Sequence, residues 1–140
     1  MMKPRRSGAD PKEPTMTNPH VTPQAIAERY IEIWNEADPG RRQALIDRHW
    51  TPDATYVDPT ASVAGPAEIN GLIGAVHARF PGFRFSLSGA PNGFGDHVRF
   101  SWRLGPEGQD ALIEGSDVIM TFHERIACVI GFLDRVPQAA

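Results

Sequence analysis

Two periods divide the chain. From Thr22 to Arg79 the apolar residues recur mainly at helical spacing, and from Phe83 onward they alternate. Thr22-Pro23 reads as an N-cap followed by proline at the first helical position. Ile26, Tyr30, Ile33 and Trp34 then fall at i, i+4, i+7 and i+8, one face of a first helix. Asp38-Pro39 opens a second helix with Leu45, Ile46 and His49 inward, and Thr51-Pro52-Asp53 stops it. Ala54 to Asp58 reads as a brief strand. Pro66 opens a third helix carrying Ile69, Leu72, Ile73, Val76 and Phe80, closed by Pro81-Gly82.

In the alternating half, Phe83, Phe85 and Leu87 share one face of a strand, and residues 89–93 read as a turn. Val98, Phe100, Trp102 and Leu104 alternate with His97, Arg99, Ser101 and Arg103. A turn from Gly105 to Asp110 leads into a long strand from Leu112 to Phe122. A tight turn at His123-Glu124-Arg125 then leads to a last strand from Ile126 to Asp134. The order α-α-β-α-β-β-β-β predicts an α+β domain over residues 22–136, with helices covering one face of a curved antiparallel sheet. Residues 1–21 hold four prolines and almost no bulky apolar side chain, so they read as a disordered N-terminal tail, with Met16 a second candidate start beside Met1. Residues 137–140 read as a C-terminal tail.

Composition narrows the chemistry. The 140 residues carry 14 bases and 17 acids, a net charge of −3. The first 20 residues are basic, so the body is more acidic than the whole, which argues against a nucleic-acid partner. Beyond Lys12 there is no lysine, which excludes a Schiff-base lysine or a Walker A loop within the domain. Cys128 is the sole cysteine, and the five histidines show no metal-binding spacing, so no metal and no cofactor is expected. No apolar run approaches a membrane span and no signal-peptide pattern is present, so the expectation is a cytoplasmic protein without a membrane partner.

The motifs then point to a family. Glu28-Arg29-Tyr30 to Trp34-Asn35 lies on the first helix and Ala54-Thr55-Tyr56-Val57-Asp58-Pro59 follows the second. Gly65-Pro66-Ala67-Glu68-Ile69 opens the third helix and Phe80-Pro81 closes it before Phe83-Arg84-Phe85. Glu114-Gly115-Ser116-Asp117 and Gly131-Phe132-Leu133-Asp134 sit on the last two strands. Their order and spacing resemble the nuclear transport factor 2-like (NTF2-like) superfamily, in particular its SnoaL-like branch, over about residues 22–136. The resemblance implies a cystatin-like cone, with three N-terminal helices and a concave sheet enclosing one pocket. Its members include ketosteroid isomerases, polyketide cyclases, epoxide hydrolases, dehydratases and non-catalytic binding proteins, so the fold alone does not define a function.

Residue by residue, Tyr30, Asp58 and Asp117 match the isomerase pattern of that superfamily. The resemblance implies that Tyr30 and Asp117 donate to an oxyanion and that Asp58 shuttles a proton, one carboxyl held protonated by an apolar site and the other ionised. Each residue also has a plainer reading. Tyr30 shares a face with Ile26, Ile33 and Trp34 and fits a core aromatic. Asp58 before Pro59 fits a turn carboxylate that accepts from nearby backbone. Asp117 stands mid-strand and needs a partner, for which Arg99 or Arg103 on the adjacent strand is the structural choice. Trp34, Tyr56, Phe80, Phe85, His97, Trp102 and Phe132 are candidate pocket-lining residues, and His97 is also a candidate partner of Asp117 in a dehydratase-like pair. Arg99-Phe100-Ser101 lacks the second-position acid of the epoxide hydrolase pattern.

Two functions are therefore expected to compete. One is a cofactor-independent isomerase or cyclase acting on a small, mostly apolar carbonyl ligand by aspartate acid/base chemistry, with Asp58 or Asp117 as the base and Tyr30 with the other carboxyl stabilising the enolate. The other is a non-catalytic ligand-binding or dimerisation module. Under both, the resemblance implies a homodimer through the outer sheet face bearing Arg99, Arg103, Glu114 and Val118.

Overall fold

The computed structural model describes residues 21–137. Helices α1 (Pro23–Asn35), α2 (Pro39–His49) and α3 (Pro66–Arg79) pack on a six-stranded curved sheet. Its strands are β1 (Trp50–Asp58), β2 (Ala61–Ala64), β3 (Phe83–Phe94), β4 (His97–Pro106), β5 (Ile113–Phe122) and β6 (Arg125–Arg135), in the order β2-β1-β6-β5-β4-β3. The expected tail over residues 1–20, with both candidate starts, lies outside the described residues, as do residues 138–140. Val21, placed in that tail by the sequence reading, instead packs partly buried against the core.

The helix starts follow the sequence. Thr22 Oγ1 accepts from the backbone N–H of Ala25 at 3.1 Å, and Asp38 Oδ2 accepts from Arg41 N–H at 2.8 Å, each cap preceding a proline at the first helical position. Arg42, only 3% exposed, donates to Asn70 Oδ1 at 2.5 Å and to Glu36 O at 2.6 Å, tying α2 to α3 and to the chain before it. The core is a single cluster in which Ile33, Ile46, Trp50, Ile69, Ile73, Ile119, Ile126 and Val129 are fully buried.

Several expectations change. Only α1 and α2 precede every strand, because α3 follows β1 and β2. The sheet is mixed, not wholly antiparallel: β1 runs parallel to β6, a partner distant in sequence that no hairpin constrains. The first strand begins at Trp50 rather than Ala54. Pro52 and Asp53 sit in the stretch where its register against β6 slips, the kind of irregularity in which a strand tolerates proline. β2 was not expected at all, since Ala-Ser-Val-Ala carries little strand signal. Residues 89–93 do not reverse the chain. They are an irregular stretch inside β3, where pairing with β4 shifts between Ser88 and Asn92, and the reversal falls at Gly95-Asp96. His123 and Glu124, both with positive φ, form the two-residue turn between β5 and β6.

Candidate active site

The inner face of the sheet is set by strand parity. Trp102 on β4 lies opposite Gly115 on β5, and Asp117 on β5 lies opposite Gly131 on β6. Tyr56 and Asp58 reach the same region from β1, while Tyr30 and Trp34 approach from α1. Asn35 fixes this end of α1 to β3, donating to Phe85 O at 2.9 Å and accepting from Phe85 N–H at 2.8 Å. His77 Nε2 on α3 bonds Trp34 O at 2.7 Å and holds the third helix over the site.

These elements surround a cavity of about 420 Å³. Tyr30, Trp34, Tyr56, Asp58, Phe80, Phe85, Trp102 and Asp117 all line it. The wall also includes residues not singled out from the sequence: Ile31, Thr60, Val76, Arg79, Leu104, Ile113, Leu133, Val136 and Pro137. Pro137 had been assigned to the C-terminal tail. Two expected lining residues are elsewhere. Phe132 is opposite Ser116 in the ladder, so it has outer-face parity and is 54% exposed. His97 is exposed, stacks on Phe94 and pairs with Met120, three ladder positions from the residue facing Asp117. At roughly 3.3 Å per residue that is too far for a His97–Asp117 pair.

Asp117 is 3% exposed and forms neither expected ion pair. Arg99 pairs with Val118 and Arg103 with Glu114, so both arginines project from the opposite face. Instead the Tyr30 hydroxyl donates to Asp117 Oδ2 at 2.6 Å and the Trp102 indole N–H donates to Oδ1 at 3.0 Å. Burial pushes Asp117 up to about 6. Its two hydrogen bonds oppose that shift, and the charges of Asp58 and Asp134 reinforce it. Burial and the Asp117 charge hold the Tyr30 hydroxyl well above the usual phenol range, so it remains a donor. The Trp34 indole N–H is turned toward the Tyr30 oxygen but falls short of hydrogen-bond geometry.

A second pair stands beside the first. The Tyr56 hydroxyl donates to Asp58 Oδ2 at 2.5 Å. Asp58 Oδ1 accepts from Thr60 N–H, Thr60 Oγ1 and Ala61 N–H at 2.7, 2.8 and 2.9 Å, the turn arrangement that aspartate before proline suggested. Burial and this bond keep Tyr56 protonated.

Two glycines make room for the constellation. A Cβ on Gly115 would meet Trp102 Cζ2 at 2.3 Å, so only glycine lets the indole lie across β5 to reach Asp117. A Cβ on Gly131 would lie 2.9 Å from Asp117 Oδ1, 3.3 Å from Asp58 Cβ and 3.5 Å from Tyr56 Oη. The two Tyr–Asp pairs thus converge on one point above Gly131. Ladder partners cannot be read from a single strand, so the motifs holding Gly115 and Gly131 did not show what these glycines make room for. Among the described residues no group of three or more His, Cys, Asp or Glu side chains could hold a metal ion, and no helix is long and apolar enough to cross a membrane.

Three helices on a curved six-stranded sheet, closing over a cavity with inward tyrosine and aspartate, define an NTF2-like fold of the ketosteroid isomerase type. The SnoaL-like domain model matches residues 27–129, and the chain belongs to the SnoaL-like family. The chain is similar to a proposed isomerase of that family from Agrobacterium tumefaciens, at 43% identity over 78% of this chain and 94% of the other, with a TM-score of 0.75. It shares its fold with a proposed SnoaL-like polyketide cyclase from Jannaschia (15% identity, 85% and 90% covered, TM-score 0.65). It also shares it with a proposed ketosteroid isomerase from Kribbella flavida (16% identity, 84% and 82% covered, TM-score 0.62). No curated protein matches it in sequence.

Proposed function

We propose that this protein binds a small, mostly apolar carbonyl compound in its cavity and moves a proton on it without a cofactor, as an isomerase or cyclase. The observation that carries this reading is the buried Tyr30–Asp117 pair, with Asp117 raised to about 6 and no cation against it. Asp58, oriented by four donors, takes a proton from the carbon next to the ligand carbonyl. The carbon–hydrogen electron pair moves into a carbon–carbon double bond, and the carbonyl oxygen becomes an enolate. Tyr30 and protonated Asp117 donate to that oxygen, whose charge raises Asp117 further. Return of the proton to another carbon gives an isomer. Attack of the enolate carbon on a second carbonyl, with the proton delivered to the new alkoxide, gives a ring.

The test is deuterium exchange into apolar enolisable ketones such as 1-tetralone in D2O, followed by NMR. The protein should accelerate exchange, and Asp58→Asn should lose about 10²- to 10⁴-fold of that acceleration while still binding the ketone. In the free protein kcat/KM should fall as pH rises through about 6, because the donor form of Asp117 is then lost. A rise through the same range would assign the base to Asp117 instead.

The second reading, a non-catalytic binding or dimerisation module, draws on the local turn bonds of Asp58, which satisfy its carboxylate without a ligand. Ketone binding with no exchange would favour it. Either reading includes a homodimer through the outer sheet face, where Val57, Met120, Ile130 and Phe132 stand exposed together with Arg99 and Arg103. Light scattering of a monomer at micromolar concentration would count against that dimer.

A further inference from the structure

The cavity is electrically lopsided. One stretch of its wall is acidic and largely buried: Asp117 is 3% exposed, and the half-buried Asp58 stands beside it. Its mouth holds the exposed Arg79, the one cation among the lining residues. Arg79 ends α3, and its guanidinium lies 5.6 Å from the centroid of the Phe80 ring, which also faces the cavity. Among the described residues the Arg79 side chain has no hydrogen bond and no ion pair, so its five N–H donors are unclaimed. Asp58, on the same cavity wall, already accepts from its own turn and from Tyr56.

We propose that the compound the cavity takes carries a carboxylate, received by Arg79 at the mouth. The proposal rests on the ligand-binding half of the reading above and not on proton transfer. A carboxylate matches the planar guanidinium fork, and the Phe80 ring presents that fork along the cavity wall. The Asp58 carboxylate on the same wall repels that charge, so a ligand with an acid at one end enters in one orientation, its carbonyl inward. The plainer role for Arg79 is a solvated cation at the C-terminus of α3, complementing the helix dipole. That role predicts no ligand discrimination.

The experiment is calorimetric binding of two isosteric probes, 2-naphthoate and 2-naphthamide. The wild-type protein should bind the naphthoate more tightly, and added salt should narrow the difference. Arg79→Gln should weaken naphthoate about 3- to 10-fold and leave naphthamide unchanged, with Arg79→Lys intermediate. Equal affinity for the two probes, no naphthoate binding at millimolar concentration, or an equal loss of both in Arg79→Gln would each overturn the proposal. Unchanged thermal melting of Arg79→Gln separates a ligand effect from a helix effect. In the wild-type protein an intact preference with no ketone exchange would sink the proton-transfer reading alone.

Discussion

The cavity contains the same chemical pair twice, and the two copies differ in what surrounds them. Tyr30–Asp117 joins α1 to β5 across the core, 87 residues apart in sequence, with both side chains almost fully buried. Tyr56–Asp58 joins two residues of one strand at the cavity edge, and Asp58 has three further donors from its own turn. In the first pair burial outweighs two hydrogen bonds and pushes the carboxyl up to about 6. The second is a carboxylate held in place by local backbone. A single residue combination thus gives a carboxyl raised by burial in one setting and an oriented acceptor in the other, and the Asp58 charge itself helps raise Asp117.

The largest expected contrast lies in the two tyrosines. Tyr30→Phe removes a donor to the developing enolate and should lower ketone exchange about 10²-fold or more. Tyr56→Phe removes one of four donors to Asp58 and should change exchange less than about 10-fold. Equal losses in the two variants would show that the pairs act as one unit and would erase the distinction drawn between them.

Asp117→Asn tests the buried pair without a substrate. A carboxyl whose folded value is about 6, against 3.8 for the ordinary group, binds its proton more tightly in the folded state. The folded protein therefore gains stability as pH falls from about 6 toward 4, and above 6 it carries the full penalty of the buried charge. That difference amounts to at most about 3 kcal/mol. In Asp117→Asn the amide oxygen can accept from Trp102 while its NH2 donates to the Tyr30 oxygen, because the hydroxyl can turn and the indole N–H cannot. Chemical denaturation at pH 4 and pH 7 should show the wild type gaining stability relative to Asp117→Asn at the lower pH. A difference independent of pH would place Asp117 at an ordinary value and remove the donor role.

These tests also mark how far the sequence could be read. The caps at Thr22 and Asp38 and the alternation of Phe100, Trp102 and Leu104 are local signals, and the structure has the elements they imply. The turn at Asp58 was legible too, since its donors lie within three residues. The antiparallel pairing of β3 to β6 was legible as well, and what escaped was set by exact register and by partners distant in sequence. The parallel pairing of β1 with β6, the outward parity of Phe132, and the choice of Tyr30 and Trp102 over Arg99 or Arg103 for Asp117 all depend on register. Arg79 was passed over because a charged residue ending a helix reads as solvated until a cavity is found beside it.

Gly131 sharpens the comparison most directly, because it is the point at which the two pairs meet. A methyl group there would stand 2.9 Å from Asp117 Oδ1, closer than side chains tolerate, 3.3 Å from Asp58 Cβ, a tight contact, and 3.5 Å from Tyr56 Oη, an ordinary one. The larger strain of Gly131→Ala should therefore fall on the buried pair, with a smaller push on Asp58. Overpacking of this kind costs about 1–2 kcal/mol. Displacing the Asp117 carboxyl should also shift its titration away from about 6, since the balance of burial and two hydrogen bonds is disturbed. Carbon-13 NMR of the aspartate carboxyls would follow both groups in one sample. A moved Asp117 titration, with the Asp58 carboxyl resonance displaced much less, supports two separately held pairs above one glycine. Equal displacement of both resonances, or of neither, would show that the carboxyls share a single network or that the ladder has slack enough to absorb a methyl group.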